Sequence, residues 1–152
     1  MNTLIRRDYD YALRICAYLA GKYDQSHVSI SRLAERLFLS RPFATKIIFN
    51  LKNAGIVTTV QGKDGGVYLT NDPRGVSVYD VLLAMGYDSR INECLVTGYQ
   101  CPLEHTCRLH DFWGEQEELL IKALRTKKLA DLILEDHEIT RPSPAVKERQ
   151  RT

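Results

Sequence analysis

The stretch SISRLAERLFLSRPFATKIIFNLKNAGIVTTVQGKDGGVYLT, residues 29–70, decides the fold. Its first part predicts a short helix, SRLAERL, which Ser29 or Ser31 can cap and whose inward face carries Ile30, Leu33, Ala34 and Leu37. A tight turn leads to Ser40, a good N-cap, and a further helix from about Arg41 to Asn53. Two short helices in this order, the second starting with small polar and basic side chains, predict a helix-turn-helix DNA reader.

The end of the same stretch predicts a β-hairpin wing. Residues 56–60 (IVTTV) are β-branched, residues 61–66 (QGKDGG) supply a turn, and residues 67–70 (VYLT) return. A glycine-rich tip with Lys63 can approach a phosphate backbone or a minor groove closely. The glycines lack the spacing of a nucleotide-binding loop. The sequence therefore predicts a mainly α fold with a small β wing, a winged helix-turn-helix domain.

Composition sets the limits on size and class. The chain has 152 residues, of which 44% are hydrophobic, enough for one compact domain with appendages. A net charge of +2 permits nucleic-acid binding without requiring it. The N-terminus carries charges within its first ten residues, and no apolar run is long enough to cross a bilayer. We expect a cytoplasmic protein that does not bind membranes.

The flanks of the DNA reader are also helical in pattern. From Asp8 to Tyr23, apolar residues recur every three or four positions, and Cys16 lies on this stripe as a small core residue rather than a ligand. His27 falls in a polar connection and is expected to be a solvated loop residue. After the hairpin, residues 76–85 predict a short helix capped by Ser77.

A cysteine-rich stretch, NECLVTGYQCPLEHTCRLH at residues 92–110, predicts a metal or cluster site. Cys94, Cys101 and Cys107 are separated by six and then five residues, and His110 lies three places after the last. Thiolates are soft ligands for iron–sulfur clusters and for zinc. An odd number of cysteines argues against a disulfide framework. A zinc staple with three cysteines and one histidine fits the loop as well as a cluster does.

The C-terminal third predicts an oligomerisation helix. From about Arg108 to Leu124 a wide apolar seam runs along the helix, interrupted by Gln116: Leu109, Phe112, Trp113, Leu119, Leu120, Ala123 and Leu124. Such a seam predicts a homodimer interface, with burial against its own domain as the alternative. The segment KKLADLILE (127–135) predicts a short closing helix. Residues 137–152 predict a disordered tail. In that tail, Lys147, Arg149 and Arg151 are expected to be solvated rather than to contact DNA.

Several pieces together resemble the Rrf-type family of bacterial winged-helix regulators, which includes IscR-, NsrR- and RirA-like iron–sulfur repressors. The matching pieces are DYALRICAYLA (10–20), NLKNAGIVTTVQGKDGGVYLT (50–70), VSVYDVLLA (76–84), the cysteine loop and KKLADLI (127–133). Their order and spacing cover nearly everything from Asp8 to Glu135. The resemblance implies a dimeric repressor that binds a near-palindromic site on double-stranded DNA, with one helix in the major groove and the wing at the minor groove.

The resemblance also implies an iron–sulfur cluster (2Fe–2S or 4Fe–4S) that senses redox state, nitric oxide, or iron and cluster supply. Cys94, Cys101 and Cys107 match the family's cluster thiolates. The fourth ligand in IscR-like members falls on His110, which we favour because it is local. In NsrR-like members it falls on Asp10 of the partner subunit, with Asp8 close by, although Asp10 could equally stabilise the start of its helix. His105 is a weaker candidate.

For DNA contact, Arg41, Thr45 and Lys46 are expected to reach base edges, Asn50 lies on or near the same outer face, and Lys63 anchors phosphates. Gln61 stands where the family often has arginine, and Thr45 where it often has glutamate; Pro42 is unusual near the helix start. The operator therefore cannot be copied from a relative.

The predicted organisation is a DNA-binding domain with its following short helix at 1–87, the cysteine loop at 88–110, dimerisation helices at 108–136 and the tail at 137–152. Enzyme function is disfavoured, because the sequence has no nucleophile with a paired base and no Cys-x-x-Cys redox pair. A winged-helix regulator with structural zinc, or with no metal, remains the alternative.

Overall fold

The computed structural model describes residues 5–103 and 106–140, which form a mainly helical fold with one antiparallel hairpin. The helices and strands are α1 (Arg7–Ala20), α2 (Ile30–Arg36), α3 (Arg41–Asn53), β1 (Val57–Val60), β2 (Gly66–Leu69), α4 (Val78–Ala84) and α5 (Arg108–Thr126). Short 3₁₀ turns lie at Glu93–Leu95, Leu129–Leu132 and Asp136–Glu138. No helix in the described part of the chain is long and apolar enough to span a membrane. The predicted mainly α fold with a β wing is confirmed.

Helices α2 and α3 begin where their capping serines predict. The Ser29 hydroxyl accepts a hydrogen bond from the Arg32 backbone N–H at 3.2 Å, and Ser40 accepts from the Phe43 N–H at 3.4 Å. Pro42 lies in the first turn of α3, where backbone N–H groups have no partner within the helix. The N–H that proline lacks therefore costs no helical hydrogen bond. The buried residues of the two helices face each other: Leu33, Ala34, Ala44, Ile47, Ile48 and Leu51. These helices form the predicted helix-turn-helix.

The wing is anchored to the connection between α1 and α2. The strands pair from Val57 with Leu69 to Val60 with Gly66. Val28 adds a third, one-residue segment, because its N–H and carbonyl both bond to the backbone of Val67, at 2.9 and 2.8 Å. A Cβ on Gly66 would lie 2.4 Å from the Val28 carbonyl oxygen, so this close approach requires glycine. The wing therefore moves with the helical domain rather than independently.

His27 takes part in the same attachment. Its side chain is exposed, as the prediction of a solvated loop residue requires. Its ring nitrogen Nε2 also donates a hydrogen bond to the Asp64 carbonyl at the wing tip. His27 is therefore both solvated and bonded to the wing.

Helix α1 lies at the centre of the core. Ala12, Ile15, Cys16 and Tyr18 are fully buried and pack with residues of α3, α4 and the wing. Burial raises the pKa of the Cys16 thiol to about 12, because a thiolate would be poorly solvated there. The predicted core role of Cys16 is confirmed, and its chemistry is that of a small hydrophobe.

The segment after α5 folds back onto the N-terminal domain. Lys128 forms an isolated antiparallel bridge with Ser77, and the Leu129 N–H bonds to the Val76 carbonyl at 2.9 Å. The Leu134 N–H bonds to the Ala17 carbonyl at 3.2 Å. The predicted short helix at 127–135 is reduced to the 3₁₀ turn at Leu129–Leu132, because the backbone groups on either side of that turn bond to distant partners.

Asp136 holds this returning segment to α1 and α2. Its carboxylate accepts hydrogen bonds from Lys22 Nζ at 2.9 Å, Tyr18 Oη at 2.9 Å and Arg36 Nε at 2.9 Å. The Lys22 hydrogen bond is the main reason why the pKa of Asp136 lies well below its usual range. The first helix of the DNA reader is therefore tied to the chain that follows α5. Residues 141–152, including Lys147, Arg149 and Arg151 of the predicted tail, lie outside the described residues.

Candidate DNA-binding surface and cysteine pocket

The outer face of α3 is exposed and basic. Arg41, Thr45 and Lys46 are exposed and Asn50 is partly exposed, while α3 contains no acidic residue. The Thr45 hydroxyl donates a hydrogen bond to the Arg41 carbonyl at 2.9 Å. The residues predicted to contact DNA therefore lie on the side of α3 that its own core does not cover, which suits a polyanionic partner.

The wing tip carries the other residues that the sequence predicts to contact DNA. Gln61 and Lys63 are both exposed between the two strands. A Cβ on Gly65 would lie 2.2 Å from the Val60 carbonyl oxygen, so only glycine fits at this position of the wing tip. Lys63 lines a polar cleft of about 410 Å³ together with His27 and Arg32. The wing and the start of α2 thus present their cations on one continuous surface.

The three loop cysteines and His110 line a single pocket. Its volume is about 180 Å³, and its lining residues are Asn92, Cys94, Tyr99, Cys101, Cys107, Leu109, His110 and Trp113. All three thiols are free and half-buried. The structure therefore brings together the four donors that the sequence predicts as ligands, around one void.

Local structure orients most of these donors. The Asn92 side chain accepts a hydrogen bond from the Cys94 N–H at 3.3 Å and so starts the 3₁₀ turn that carries this cysteine. Cys107 is the N-cap of α5, and the His110 N–H bonds to the Cys107 carbonyl at 3.2 Å. Cys101 lies on an irregular segment between them. The positive end of the α5 dipole faces Cys107, which favours a negatively charged ligand there.

The other candidates for fourth ligand lie elsewhere. Asp10 is in the first turn of α1 and pairs with Arg14 at 2.8 Å, outside the residues that line the cysteine pocket of its own chain. Its predicted stabilisation of the helix start agrees with this position, and ligation across a dimer stays a prediction. His105 lies outside the described residues.

The donors of the pocket lie around its wall rather than at one point. Among residues 5–103 and 106–140, no three His, Cys, Asp or Glu side chains are close enough together to hold a single metal ion. The donors instead line a pocket of about 180 Å³. Three thiols and an imidazole are also a donor set that iron–sulfur centres accept. The donor types present are therefore those that an iron–sulfur cluster uses.

Glu117 is a buried charged residue next to the cysteine loop that the sequence analysis did not single out. Only 6% of it is exposed, and its carboxylate bonds to Arg90 Nη1 at 2.8 Å and to the Ile91 N–H at 3.2 Å. Both partners stand at the start of the cysteine loop. Glu117 therefore fastens that loop to the middle of α5. The available signal was its spacing of four from Trp113 and three from Leu120, which places it on the apolar inner face.

Replacing Glu117 with alanine is expected to lower the free energy of unfolding by about 2 kcal/mol, because hydrogen bonds to a charged group contribute ~1.5–3 kcal/mol. Arg90 is 42% exposed and stays hydrated without its partner, so the loss stays below that of a fully buried pair. Urea denaturation at matched protein concentration measures it, with the exposed neighbour Glu118→Ala as the control. Equal losses in the two variants would contradict a fastening role.

Helix α5 has two apolar faces rather than one wide seam. The inner face, Trp113, Glu117, Leu120 and Leu124, turns toward its own domain, and Leu124 packs against the core. The outer stripe runs through Leu109, Phe112, Gln116, Leu119 and Ala123 at alternating spacings of three and four. Leu119 is 61% exposed there. Burial against its own domain thus accounts for half of the predicted seam, and the outer stripe has the spacing of a helix-pairing surface.

Comparisons with known proteins agree with this architecture. The model of the Rrf2 family, described as an iron-dependent transcriptional regulator, matches residues 5–135. The HTH-type transcriptional regulator NsrR of Geobacillus kaustophilus is 29% identical over 125 residues, covering 82% of this chain and 85% of that protein.

Solved structures share the fold. CymR, the global cysteine regulator of B. subtilis, superposes with a TM-score of 0.72 at 23% identity, covering 87% of this chain and 96% of that one. IscR of T. potens superposes with a TM-score of 0.67 at 23% identity, covering 91% and 93%. The family model spans almost all of the described residues, and the chain therefore belongs to the Rrf2 family of DNA-binding transcription regulators.

Proposed function

We propose that this regulator is a dimeric repressor whose affinity for DNA is controlled by an iron–sulfur cluster. The observation that carries the proposal is the convergence of Cys94, Cys101, Cys107 and His110 on one pocket at the start of α5. The family's description as iron-dependent favours iron over other metals. His110 is the preferred fourth ligand, with Asp10 of a partner subunit as the alternative. A bound cluster would supply a centre that responds to redox state, nitric oxide or iron supply.

The chain links the pocket to the DNA-binding helices through α5. Cys107 and His110 belong to the first turn of this helix, so ordering their side chains orders the helix start. Glu117, in the middle of α5, holds the start of the cysteine loop. Asp136, beyond the end of α5, bonds to Tyr18 of α1 and Arg36 of α2. Repacking at the pocket can thereby change the position of the helix-turn-helix relative to a partner protomer. In this scheme residues 1–87 bind DNA, 88–110 form the sensor loop and 108–136 dimerise.

On DNA, α3 enters the major groove and the wing approaches the minor groove. Arg41, Thr45, Lys46 and Asn50 face base edges and backbone, while Gln61 and Lys63 extend from the wing. Two protomers related by a two-fold axis require a near-palindromic operator with two half-sites. Such a regulator acts in the cytoplasm, where its DNA lies.

Replacing Lys46 with alanine is expected to weaken DNA binding and to reduce the slope of log affinity against log salt by about one unit, because one cationic side chain is lost from the surface that faces DNA. Titration of one duplex at several salt concentrations measures the slope. Lys122→Ala, an exposed lysine on α5, serves as the control and should leave the slope unchanged. An unchanged slope in the Lys46 variant would place DNA on another face.

A zinc staple is the second candidate, since three cysteines and one histidine are also a common structural zinc set. Purification without oxygen decides between the two. A brown protein with iron and sulfide, whose DNA affinity changes when the centre is removed, supports the cluster switch. A colourless protein with stoichiometric zinc, and DNA binding that follows folding alone, supports the staple.

A further inference from the structure

Phe49 lies exposed on the helix that faces DNA. It is 61% exposed although α3 has a well-formed buried face elsewhere. Pro42 and Thr45 are exposed as well, and the spacing of 42, 45 and 49 by three and four places all three on one side of the helix. We name this set the reading stripe. Of its members, the sequence pattern assigned Thr45 to DNA contact but not Phe49.

The reading stripe is mostly hydrocarbon. Pro42 and Phe49 carry no polar side-chain atom. The Thr45 hydroxyl donates its proton to the Arg41 carbonyl at 2.9 Å, so it has no donor left for a base. Thr45 therefore adds its methyl group to the apolar surface that Pro42 and Phe49 form.

The charged residues beside the reading stripe indicate the kind of partner it binds. Arg41, Lys46 and Lys52 flank it on α3 as exposed residues, and the helix has no carboxylate. An apolar strip between cations fits a polyanion that itself displays a hydrocarbon group. In the major groove that group is the C5-methyl of thymine, which no other standard base carries.

We infer that Phe49, with Pro42 and Thr45, reads thymine methyl groups in each half-site of the operator. This rests on the proposed docking of α3 in the major groove. Sequence preference then depends on apolar contact at the middle of α3, while the flanking cations supply affinity that does not depend on sequence.

The test replaces thymidine by deoxyuridine in the DNA, which removes only the methyl group of the base. The full-length protein first selects its preferred duplex from a random-sequence library, and each thymine of that duplex is then replaced singly. We expect about a fourfold loss of affinity at one thymine or more per half-site, the effect of exposing one methyl-sized group. Phe49→Ala should bind the thymine and deoxyuridine duplexes equally.

Two control variants sharpen the result. Phe49→Leu keeps an apolar side chain and should retain part of the methyl dependence. Lys46→Ala should weaken binding to both duplexes and keep their ratio. Circular dichroism confirms that each variant is folded, which the exposure of Phe49 favours.

Specific binding with no sensitive thymine, or full sensitivity in Phe49→Ala, would overturn the inference and leave the DNA-binding role in place. If no sequence is enriched at all, with the metal centre present or removed, the proposed function fails and the inference fails with it.

Discussion

Replacing Cys101 with alanine is expected to abolish binding of the proposed cluster almost completely while leaving the protein folded. Cys101 lines the pocket from an irregular loop and does not belong to the core built around α1. Removing one of four ligands leaves an open coordination position, and the binding free energy of a metal centre depends on the full set. Iron and sulfide analysis, together with the visible spectrum of protein purified without oxygen, measures the loss, and far-UV circular dichroism checks the fold.

Cys16→Ala is the matched control for this experiment. Cys16 is fully buried in α1, and its raised pKa disfavours the thiolate that a metal requires. The variant loses some stability through a small cavity but should keep its colour. A Cys101 variant that retains a full complement of iron and sulfide would remove this cysteine from the ligand set.

Replacing Leu119 with glutamate is expected to weaken dimerisation by more than about a hundredfold. Leu119 is exposed on the outer stripe of the single chain, so a dimer that covers this stripe would bury the new carboxylate without a partner. That burial costs several kcal/mol, and each 1.4 kcal/mol is a factor of about ten in the equilibrium constant. Sedimentation equilibrium over a range of concentrations measures the change.

Lys122→Glu introduces the same side chain on the solvent face of α5 and should leave the dimer intact. Loss of the dimer should also reduce affinity for a two-half-site operator much more than for a single half-site, because the two contacts are no longer linked. A dimer of unchanged strength in Leu119→Glu would mean that protomers pair through a different surface.

Local signals predicted the N-terminal domain well. Ser29, Ser40 and Ser77 begin α2, α3 and α4 as expected, because a capping hydrogen bond joins residues three apart and needs no distant partner. The hairpin followed from β-branched runs around a glycine-rich turn for the same reason. The donor set of the pocket was also visible, because ligand type and spacing are properties of the sequence.

Several features depended on partners far along the chain. The segment at 127–135 had a helical pattern, but its backbone bonds to Val76 and Val78 instead. Glu117 looked like a surface residue beside Gln116 and Glu118 until Arg90 and Ile91 were seen against it. Phe49 was overlooked for another reason: it follows the apolar Ile47 and Ile48, and the burial pattern of α3 shows that it lies on the opposite side of the helix.

The sequence by itself determined the helix starts, the wing and the choice of three thiols and an imidazole as candidate ligands. Only the tertiary structure decided which donors share a pocket, that α5 has separate inner and outer faces, and that Asp136 bonds to Tyr18, Lys22 and Arg36. The physical reason is the range of the interactions. Contacts between neighbouring residues follow from local backbone geometry, whereas a contact across a hundred residues depends on how all the intervening elements pack.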